Sequence, residues 1–147
     1  RAQGLNAHLC TTQALPDVAG DVDLISCATM ANDPVLLGAW LKPGVHLDLV
    51  GSFTPTMREV DNEAMQKAAI FVDTRAGALA ETGDLIIPIK EGAIAATDIH
   101  AELTELCAHT HTGRQALAEP DQAFTVFKSV GDSREDLAAA ILAYEQS

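Results

Sequence analysis

Short apolar runs alternate with helix-like segments along this chain, and this alternation limits the fold more than any other feature of the sequence. The apolar runs cover residues 22–28, 45–50, 69–73 and 124–128, and segments such as 61–68 separate them. Strands spaced in this way need crossover connections and therefore pair in parallel. We predict one α/β domain with a mostly parallel, doubly wound sheet that helices cover on both faces.

The connecting segments carry cap and turn signals. Lys42-Pro43-Gly44 predicts a turn, and Asn32 or Asp33 is expected to cap a short helix that begins at Pro34. Pro88 favours an edge or loop segment at 85–89. Helices are predicted over 61–68, over 75–82 with Gly83 as the stop, over 99–107 with Asp98 as the cap, and over 133–144.

The ends of the chain are read in the same way. Residues 1–5 resemble the end of a helix, 8–12 alternate like a short strand, and a polar helix-like segment runs through Asp17 to Gly20. In the last helix, one stripe of apolar side chains is expected to pack on the core. This stripe consists of Leu137, Ile141 and Leu142.

Charge and cysteine content exclude several classes of protein. The chain has 147 residues, of which 9 are basic and 21 acidic, giving a net charge of -12. Such acidity argues against nucleic acid or an anionic membrane surface as a partner. Three cysteines without a C-x-x-C pair suggest neither a disulfide framework nor a zinc site, and Cys10 and Cys27 are expected to be buried. We expect a soluble, cytoplasmic protein.

The segment after the 45–50 strand is the first place to look for a ligand site. The strand ends at Gly51-Ser52, a turn containing Pro55 follows, and a helix begins after Asp61. Ligands of open α/β sheets bind at the carboxyl ends of the strands, where such loops lie. The loop that contains Ser52 and Phe53 is therefore a predicted binding edge.

Three blocks of sequence resemble, in order and spacing, the ornithine cyclodeaminase/mu-crystallin family. The blocks are Gly51-Ser-Phe-Thr-Pro-Thr-Met-Arg-Glu-Val-Asp61, Phe71-Val-Asp-Thr-Arg-Ala-Gly-Ala-Leu-Ala-Glu-Thr-Gly-Asp-Leu85, and Phe127-Lys-Ser-Val-Gly131 followed by Glu135-Asp136. The resemblance covers nearly the whole chain. It is weakest over 97–120, where 101–106 and Gly113-Arg114 still fit.

The resemblance implies a Rossmann-type domain that binds NAD(H) or NADP(H) in a homodimer with a separate substrate and dimerisation domain. Residues 1–147 correspond to the later part of that domain, and the last helix is expected to return to the dimerisation domain. The first βαβ unit, with its Gly-rich phosphate loop, lies upstream in such proteins. No G-x-G-x-x-G occurs in this sequence, so the sheet is expected to be incomplete.

Phe53 distinguishes between the reactions found in this family. In the cyclodeaminases that the stretch resembles, this position carries a catalytic Asp, which works as a general acid/base. Phenylalanine cannot move protons, and Gly-Ser-Phe-Thr-Pro instead resembles the reductases of Δ1-pyrroline-2-carboxylate and Δ1-piperideine-2-carboxylate. The alternative interpretation of Phe53 is a core side chain beneath the loop.

The resemblance and the strand-end positions together predict the contacts to NAD(P). Val130-Gly131 resembles the family loop that reaches the nicotinamide, although an ordinary turn explains it too. The residues after the 22–28 strand are expected near the adenosine half, or form a plain loop. Ser52 bonds cofactor, substrate or its own turn. The predicted cofactor-binding residues are Ala28, Thr29, Met30, Ser52, Phe53, Val130 and Gly131.

The remaining polar residues are given structural roles. Lys128 is expected to be exposed, with approach to a carboxylate as the alternative. Asp73 is expected to pair with Arg75, and the predicted roles in 58–61 are a helix cap and ion pairs. His109 and His111 are expected in a solvated loop without metal. His100 is assigned to a helix surface, while His8 and His46 lack partners for a catalytic triad.

The predicted function is NAD(P)H-dependent reduction of a small cyclic imino acid to proline or pipecolate. Ornithine cyclodeaminase and alanine dehydrogenase activity are the alternatives among enzymes. A mu-crystallin-like protein that binds a ligand without turnover is the alternative from another class.

Overall fold

The computed structural model describes residues 10–146 as a five-stranded, entirely parallel sheet with helices packed on it. The strand order is β1-β2-β5-β3-β4. The strands are β1 (Leu24–Cys27), β2 (His46–Leu49), β3 (Ala69–Val72), β4 (Ile99–Glu102) and β5 (Thr125–Lys128). The helices are α1 (Leu15–Val18), α2 (Asn62–Lys67), α3 (Arg75–Glu81), α4 (Gly83–Lys90), α5 (Leu103–Cys107) and α6 (Ser133–Glu145). The predicted α/β class and parallel pairing are confirmed.

One face of the sheet, here called the core face, is buried. In β2 and its neighbour β5, the register pairs Leu47 with Val126 and Leu49 with Lys128, so these four side chains share that face. None of the four has accessible surface. Burying a leucine of this kind contributes about 2 kcal/mol, so the alternation within β2 and β5 fixes which face turns inward.

The opposite face is covered only in part within the described residues. Leu24 is 62% exposed at the β1 edge of the sheet, and the side chains of His46 and Asp48 are half-buried. The predicted burial of the β1 strand is therefore wrong at Leu24 and Ser26, whereas Ile25 is partly buried against the core and Cys27 is buried as expected. Both faces of the sheet were predicted to be covered by helices. Within the described residues, this coverage is complete for the core face and only partial for the opposite face.

Side-chain caps explain where the central helices begin. The Asp61 carboxylate accepts from Ala64 N at 3.0 Å and starts α2, as predicted. Thr74 caps α3 and Thr82 caps α4 in the same way. Gly83 is the first residue of α4 and follows the break at Thr82, so it does not itself stop a helix as predicted. A Cβ there would lie 2.2 Å from Met57 O, so this close approach of two backbones requires glycine.

Residues 85–89 are helical, which corrects the edge or loop segment predicted from Pro88. Pro88 lies inside α4 and, like Leu85, is buried. A proline in a helix loses one backbone hydrogen bond and strains the preceding turn. The Thr82 cap and the burial of these apolar side chains outweigh that cost here.

Three further sequence predictions of secondary structure are wrong. No helix begins at Pro34; a 3-10 turn forms at Gly38–Trp40 instead. The predicted 99–107 helix is divided into strand β4 and helix α5, and Asp98 closes a 3-10 turn by accepting from Ala95 N. Residues 10–12 do not form a strand, and Cys10 is exposed rather than buried. The predictions for residues 1–9 lie outside the described residues.

The last helix, α6, presents its apolar stripe to solvent. Asp132 caps it by accepting from Arg134 N at 2.9 Å. Leu137 is 61%, Ile141 48% and Leu142 56% exposed, so the predicted packing of this stripe on the core is wrong. Within residues 10–146, no helix combines the length and apolar character that crossing a bilayer requires.

Candidate functional site

The carboxyl ends of β1, β2 and β5 lie side by side at one edge of the sheet, here called the carboxyl edge. These three strands are neighbours and parallel, so the loops that follow them leave the sheet in the same direction. The structure therefore brings the predicted cofactor-binding residues together in three adjacent loops, 28–30, 51–53 and 129–131. Their role in binding stays a prediction.

Two large apolar side chains of this edge face solvent. Phe53 is 49% exposed and Met30 is 73% exposed. The alternative interpretation of Phe53 as a core side chain is therefore wrong. Gly131 has a φ of +92°, and a Cβ built there would meet nothing within 4 Å, so the backbone at this point borders open space.

The Ser52 hydroxyl is engaged within its own loop. It is fully buried, donates to Met57 O at 2.6 Å and lies 2.7 Å from Thr82 Oγ1. Because a hydroxyl has one proton and Ser52 gives it to Met57, Thr82 is the donor in the second contact. The side chain thus has the turn role, one of the alternatives that the sequence left open.

Glu59 connects the loops after β1 and β2. Its Oε1 accepts from Thr29 N at 2.7 Å and from Thr29 Oγ1 at 2.9 Å, while its Oε2 accepts from Gly51 N at 2.8 Å. The side chain is fully buried. Sequence reasoning assigned it to a cap or an ion pair, and within the described residues it makes neither.

Arg58 and Asp61 have the structural roles predicted for them. Arg58 is nearly buried, donates to Val60 O at 2.7 Å and lies 3.6 Å from a carboxylate oxygen of Glu91. Asp61 caps α2 and also accepts from Gly38 N at 2.8 Å. Both tie the 58–62 segment to the body of the domain.

Asp73 holds the loop after β5. Its Oδ2 accepts from Val130 N at 2.7 Å, from Gly131 N at 2.8 Å and from Ser129 Oγ at 3.2 Å. The predicted pairing with Arg75 does not form. Arg75 pairs instead with Glu102 and Glu105, because its side chain points from α3 toward β4 and α5.

Lys128 is fully buried, which corrects its predicted exposure. The Nζ donates to Leu49 O at 2.9 Å and lies 3.8 Å from Asp84 Oδ2, which is also buried. Asp84 Oδ1 accepts from Glu59 N at 2.8 Å, whereas Oδ2 has no hydrogen-bond partner. Burial raises the pKa of Asp84 to about 6, more than the nearby amides and Lys128 lower it, and burial lowers the pKa of Lys128.

Within residues 10–146, His46, His100 and His111 are engaged in ring contacts and hydrogen bonds with their neighbours. His100 lies on β4 rather than on a helix, and its ring stands 5.7 Å from that of Phe71, as does the ring of His111. His46 Nδ1 bonds Thr125 Oγ1 at 2.8 Å. Over residues 10–146 no group of three or more His, Cys, Asp or Glu side chains is placed to hold a metal.

Sequence reasoning missed the buried polar groups beneath the carboxyl edge, namely Glu59, Thr82, Asp84 and Lys128. The alternation of side chains along β5 did indicate that Lys128 is buried. Side chains two residues apart in β5 share a face, so a buried Val126 places Lys128 on the core face as well. Nothing comparable marks Asp84, since its burial depends on the distant 58–60 segment.

Comparison with known proteins agrees with this geometry. The ornithine cyclodeaminase/mu-crystallin family matches residues 1–147. The Delta(1)-pyrroline-2-carboxylate reductase of Paracoccus denitrificans is 42% identical over 137 residues, which are 93% of this chain and 42% of that protein. Ketimine reductase mu-crystallin of Rattus norvegicus is 36% identical over 144 residues, covering 98% of this chain and 42% of that protein.

A solved structure extends the comparison to the fold. The Delta(1)-pyrroline-2-carboxylate reductase of Thermococcus litoralis, in complex with NADH and L-proline, superimposes with a TM-score of 0.81 at 41% identity, over 88% of this chain and 39% of that chain. The chain thus spans about two fifths of the length of these relatives. Because the match extends over all 147 residues and the parallel sheet superimposes, the chain belongs to the ornithine cyclodeaminase/mu-crystallin family.

Proposed function

We propose that the protein reduces a small cyclic imino acid, Δ1-pyrroline-2-carboxylate or Δ1-piperideine-2-carboxylate, to proline or pipecolate with NADH or NADPH. The observation that carries this proposal is the half-exposed Phe53 at the carboxyl edge. Cyclodeamination needs a general acid/base at that position to activate water and shuttle protons. The loop 51–56 reads Gly-Ser-Phe-Thr-Pro-Thr and contains no group that titrates near neutral pH.

The carboxyl edge fits a nicotinamide cofactor. The backbone at Gly131 borders open space, which lets a flat ring approach closely. Phe53 and Met30 supply exposed apolar surface beside the same edge, and apolar walls with few polar groups are typical of cofactor pockets. Val130-Gly131 and Phe53 are proposed to contact the nicotinamide half, and residues 28–30 the adenosine half.

When bound, the reduced cofactor supplies a hydride to the imine carbon, while the imine nitrogen takes up a proton. This chain contributes orientation and an apolar wall next to the ring of the substrate. A preformed cyclic imine needs no attacking water, so an apolar residue at position 53 is compatible with reduction and not with deamination. The names of the relatives from P. denitrificans and T. litoralis support the same reaction class.

We propose further that residues 1–147 form the later part of the NAD(P)-binding domain of a homodimer. Helix α6 would lead from it to a dimerisation domain. The exposed apolar stripe of α6 supports this assignment, because three large apolar side chains on one helix face are typical of a surface that packs against another domain or subunit. Light scattering on the natural full-length protein tests the dimer, and a monomer would contradict it.

The reaction is tested on the natural full-length protein by following the oxidation of NADH and NADPH with each cyclic imine. We expect turnover with at least one imine and no ammonia release from ornithine. Ammonia release from ornithine without imine turnover would establish the cyclodeaminase instead. Turnover of pyruvate together with ammonia, but of neither cyclic imine, would establish alanine dehydrogenase activity. Ligand binding without any turnover would indicate a binding protein.

Variants at position 53 provide the matched comparison. Phe53→Leu keeps an apolar wall and is expected to retain imine reduction within a few-fold, whereas Phe53→Asp introduces a charge beside the ring. A misplaced substrate costs on the order of 100-fold in rate, and we expect a loss of that order for Phe53→Asp. Equal activity of the two variants would show that imine reduction does not depend on an apolar residue at position 53.

A further inference from the structure

Glu59 is buried, and every hydrogen bond of its carboxylate comes from a residue of the carboxyl edge that is not adjacent to it along the chain. It accepts two from Thr29 and one from Gly51. Thr29 follows β1 and Gly51 follows β2, so one side chain joins two loops that belong to different strands. Both loops contain residues proposed to contact the cofactor.

The two loops approach each other more closely than ordinary side chains allow. A Cβ on Gly51 would lie 2.0 Å from Thr29 O and 2.3 Å from Glu59 Oε1. Only a glycine at this position leaves room for the carboxylate between the loops. The distance between the loops is therefore set by Glu59 and by the missing side chain of Gly51.

The charge of Glu59 has no cationic partner at ion-pair distance among the described residues. Burying a carboxylate is costly unless hydrogen bonds replace its hydration. Two backbone amides and one hydroxyl do so here, and hydrogen bonds to an ionised acceptor are shorter and stronger than neutral ones. An apolar side chain would leave these amides and the hydroxyl without their acceptor, and it would not fix the two loops relative to each other.

We propose that Glu59 is a positioning residue for the cofactor. It holds the loop 28–30 against the loop 51–53, so that the contacts to the two halves of the cofactor keep a constant spacing. This inference rests on the proposed function, because it concerns the same carboxyl edge. Glu59 itself is fully buried, so it would act through Thr29 and Gly51.

Asp73 supplies an internal comparison. It holds the third loop of the edge through Ser129, Val130 and Gly131, and it shares no hydrogen bond with Glu59. A change at Glu59 should therefore loosen 28–30 and 51–53 and leave 129–131 as it was. A general loss of stability would affect all three loops alike.

The test is Glu59→Gln in the natural full-length protein. Glutamine has the same shape but only one acceptor oxygen, so its amide group must face an N–H of either Thr29 or Gly51. We expect amide hydrogen exchange to accelerate at these two residues and not at 129–131. Calorimetric titration with NADH and NADPH is expected to show affinity weakened on the order of 10-fold.

Asp61→Ala is the control. Asp61 also accepts hydrogen bonds from two backbone amides, those of Ala64 and Gly38, but it does not touch the carboxyl edge. Alanine removes both bonds, because both amides donate to the same carboxylate oxygen, which asparagine would retain. We expect this variant to unfold at a lower temperature and to bind the cofactor with unchanged affinity. Should Glu59→Gln fail to fold, Thr29→Val removes the hydroxyl, with its bond to Glu59 and the bond that it accepts from Ala31 N, and keeps the amide bond to Glu59. Weakened affinity is expected there too.

The outcomes separate the two proposals. A wild-type protein that neither binds nor oxidises NADH or NADPH overturns the proposed function. Normal turnover in the wild type, combined with unchanged exchange and affinity in Glu59→Gln, overturns the positioning role alone. Equal weakening of cofactor affinity by Asp61→Ala would reduce the effect to general stability and would also overturn it.

Discussion

Lys128 Nζ lies 3.8 Å from Asp84 Oδ2, and neither side chain has any accessible surface. The pair stands directly beneath the carboxyl edge, where Lys128 bonds the last residue of β2 and Asp84 bonds the backbone of Glu59. At 3.8 Å the two groups attract each other without a hydrogen bond between them. Burial favours the neutral form of each group, so it raises the pKa of Asp84 and lowers the pKa of Lys128.

Asp84 should make stability depend on pH in the acidic range. Its pKa is raised from 3.8 to about 6. Between these two pH values the Asp84 carboxyl is protonated in the folded protein and ionised in the unfolded chain. The stability that this group contributes is full below pH 3.8 and is lost as the pH rises through about 6. Relative to wild type, Asp84→Asn should gain about 3 kcal/mol in free energy of unfolding between pH 3.8 and pH 7. Urea unfolding across this range measures the difference, and a difference independent of pH would contradict the prediction.

Lys128→Met should destabilise the fold by about 3 kcal/mol, because it leaves a buried carboxylate without its counter-charge. Adding Asp84→Asn should restore part of the loss, giving a coupling energy on the order of 1 kcal/mol. Chemical unfolding of both single variants and the double variant at neutral pH measures this coupling. Strictly additive effects would show that the pair does not interact.

Phe53 and Phe71 should respond differently to truncation. Phe53 is 49% exposed, so Phe53→Ala should change the free energy of unfolding by less than about 1 kcal/mol. Phe71 is 5% exposed and contacts the rings of His100 and His111, so Phe71→Ala should cost about 3 kcal/mol. Thermal or chemical unfolding compares the two variants. A large loss at Phe53 would mean that this side chain packs in the core after all.

The cysteines should differ in reactivity. Cys10 and Cys107 are exposed, whereas Cys27 is buried and burial raises its pKa to about 12. The thiolate is the reactive form, so Cys27 should react with a maleimide only when the protein unfolds. Mass spectrometry after labelling of folded and denatured protein distinguishes the sites. Rapid labelling of Cys27 in the folded protein would contradict its burial.

The sheet could be predicted because short-range patterns specify it. The runs 45–50, 69–73 and 124–128 form β2, β3 and β5 nearly as expected, and Asp61 caps α2. Predictions failed where contacts between distant segments override local preference. Pro88 is accommodated in α4 and residues 99–102 form a strand, since β4 can pair with β3 only once the sheet exists.

The sequence by itself determined the parallel sheet, the family, and the apolar residue at the tip of β2, because periodicity and motif spacing are local properties of the chain. Only the tertiary structure decided that Lys128 and Asp84 are buried together and that Glu59 joins Thr29 to Gly51. Burial and hydrogen-bond partners depend on residues brought close by the whole fold. Their separations along the chain, up to 79 residues in the bond from Lys128 to Leu49, are too long for a local pattern to specify which residues meet.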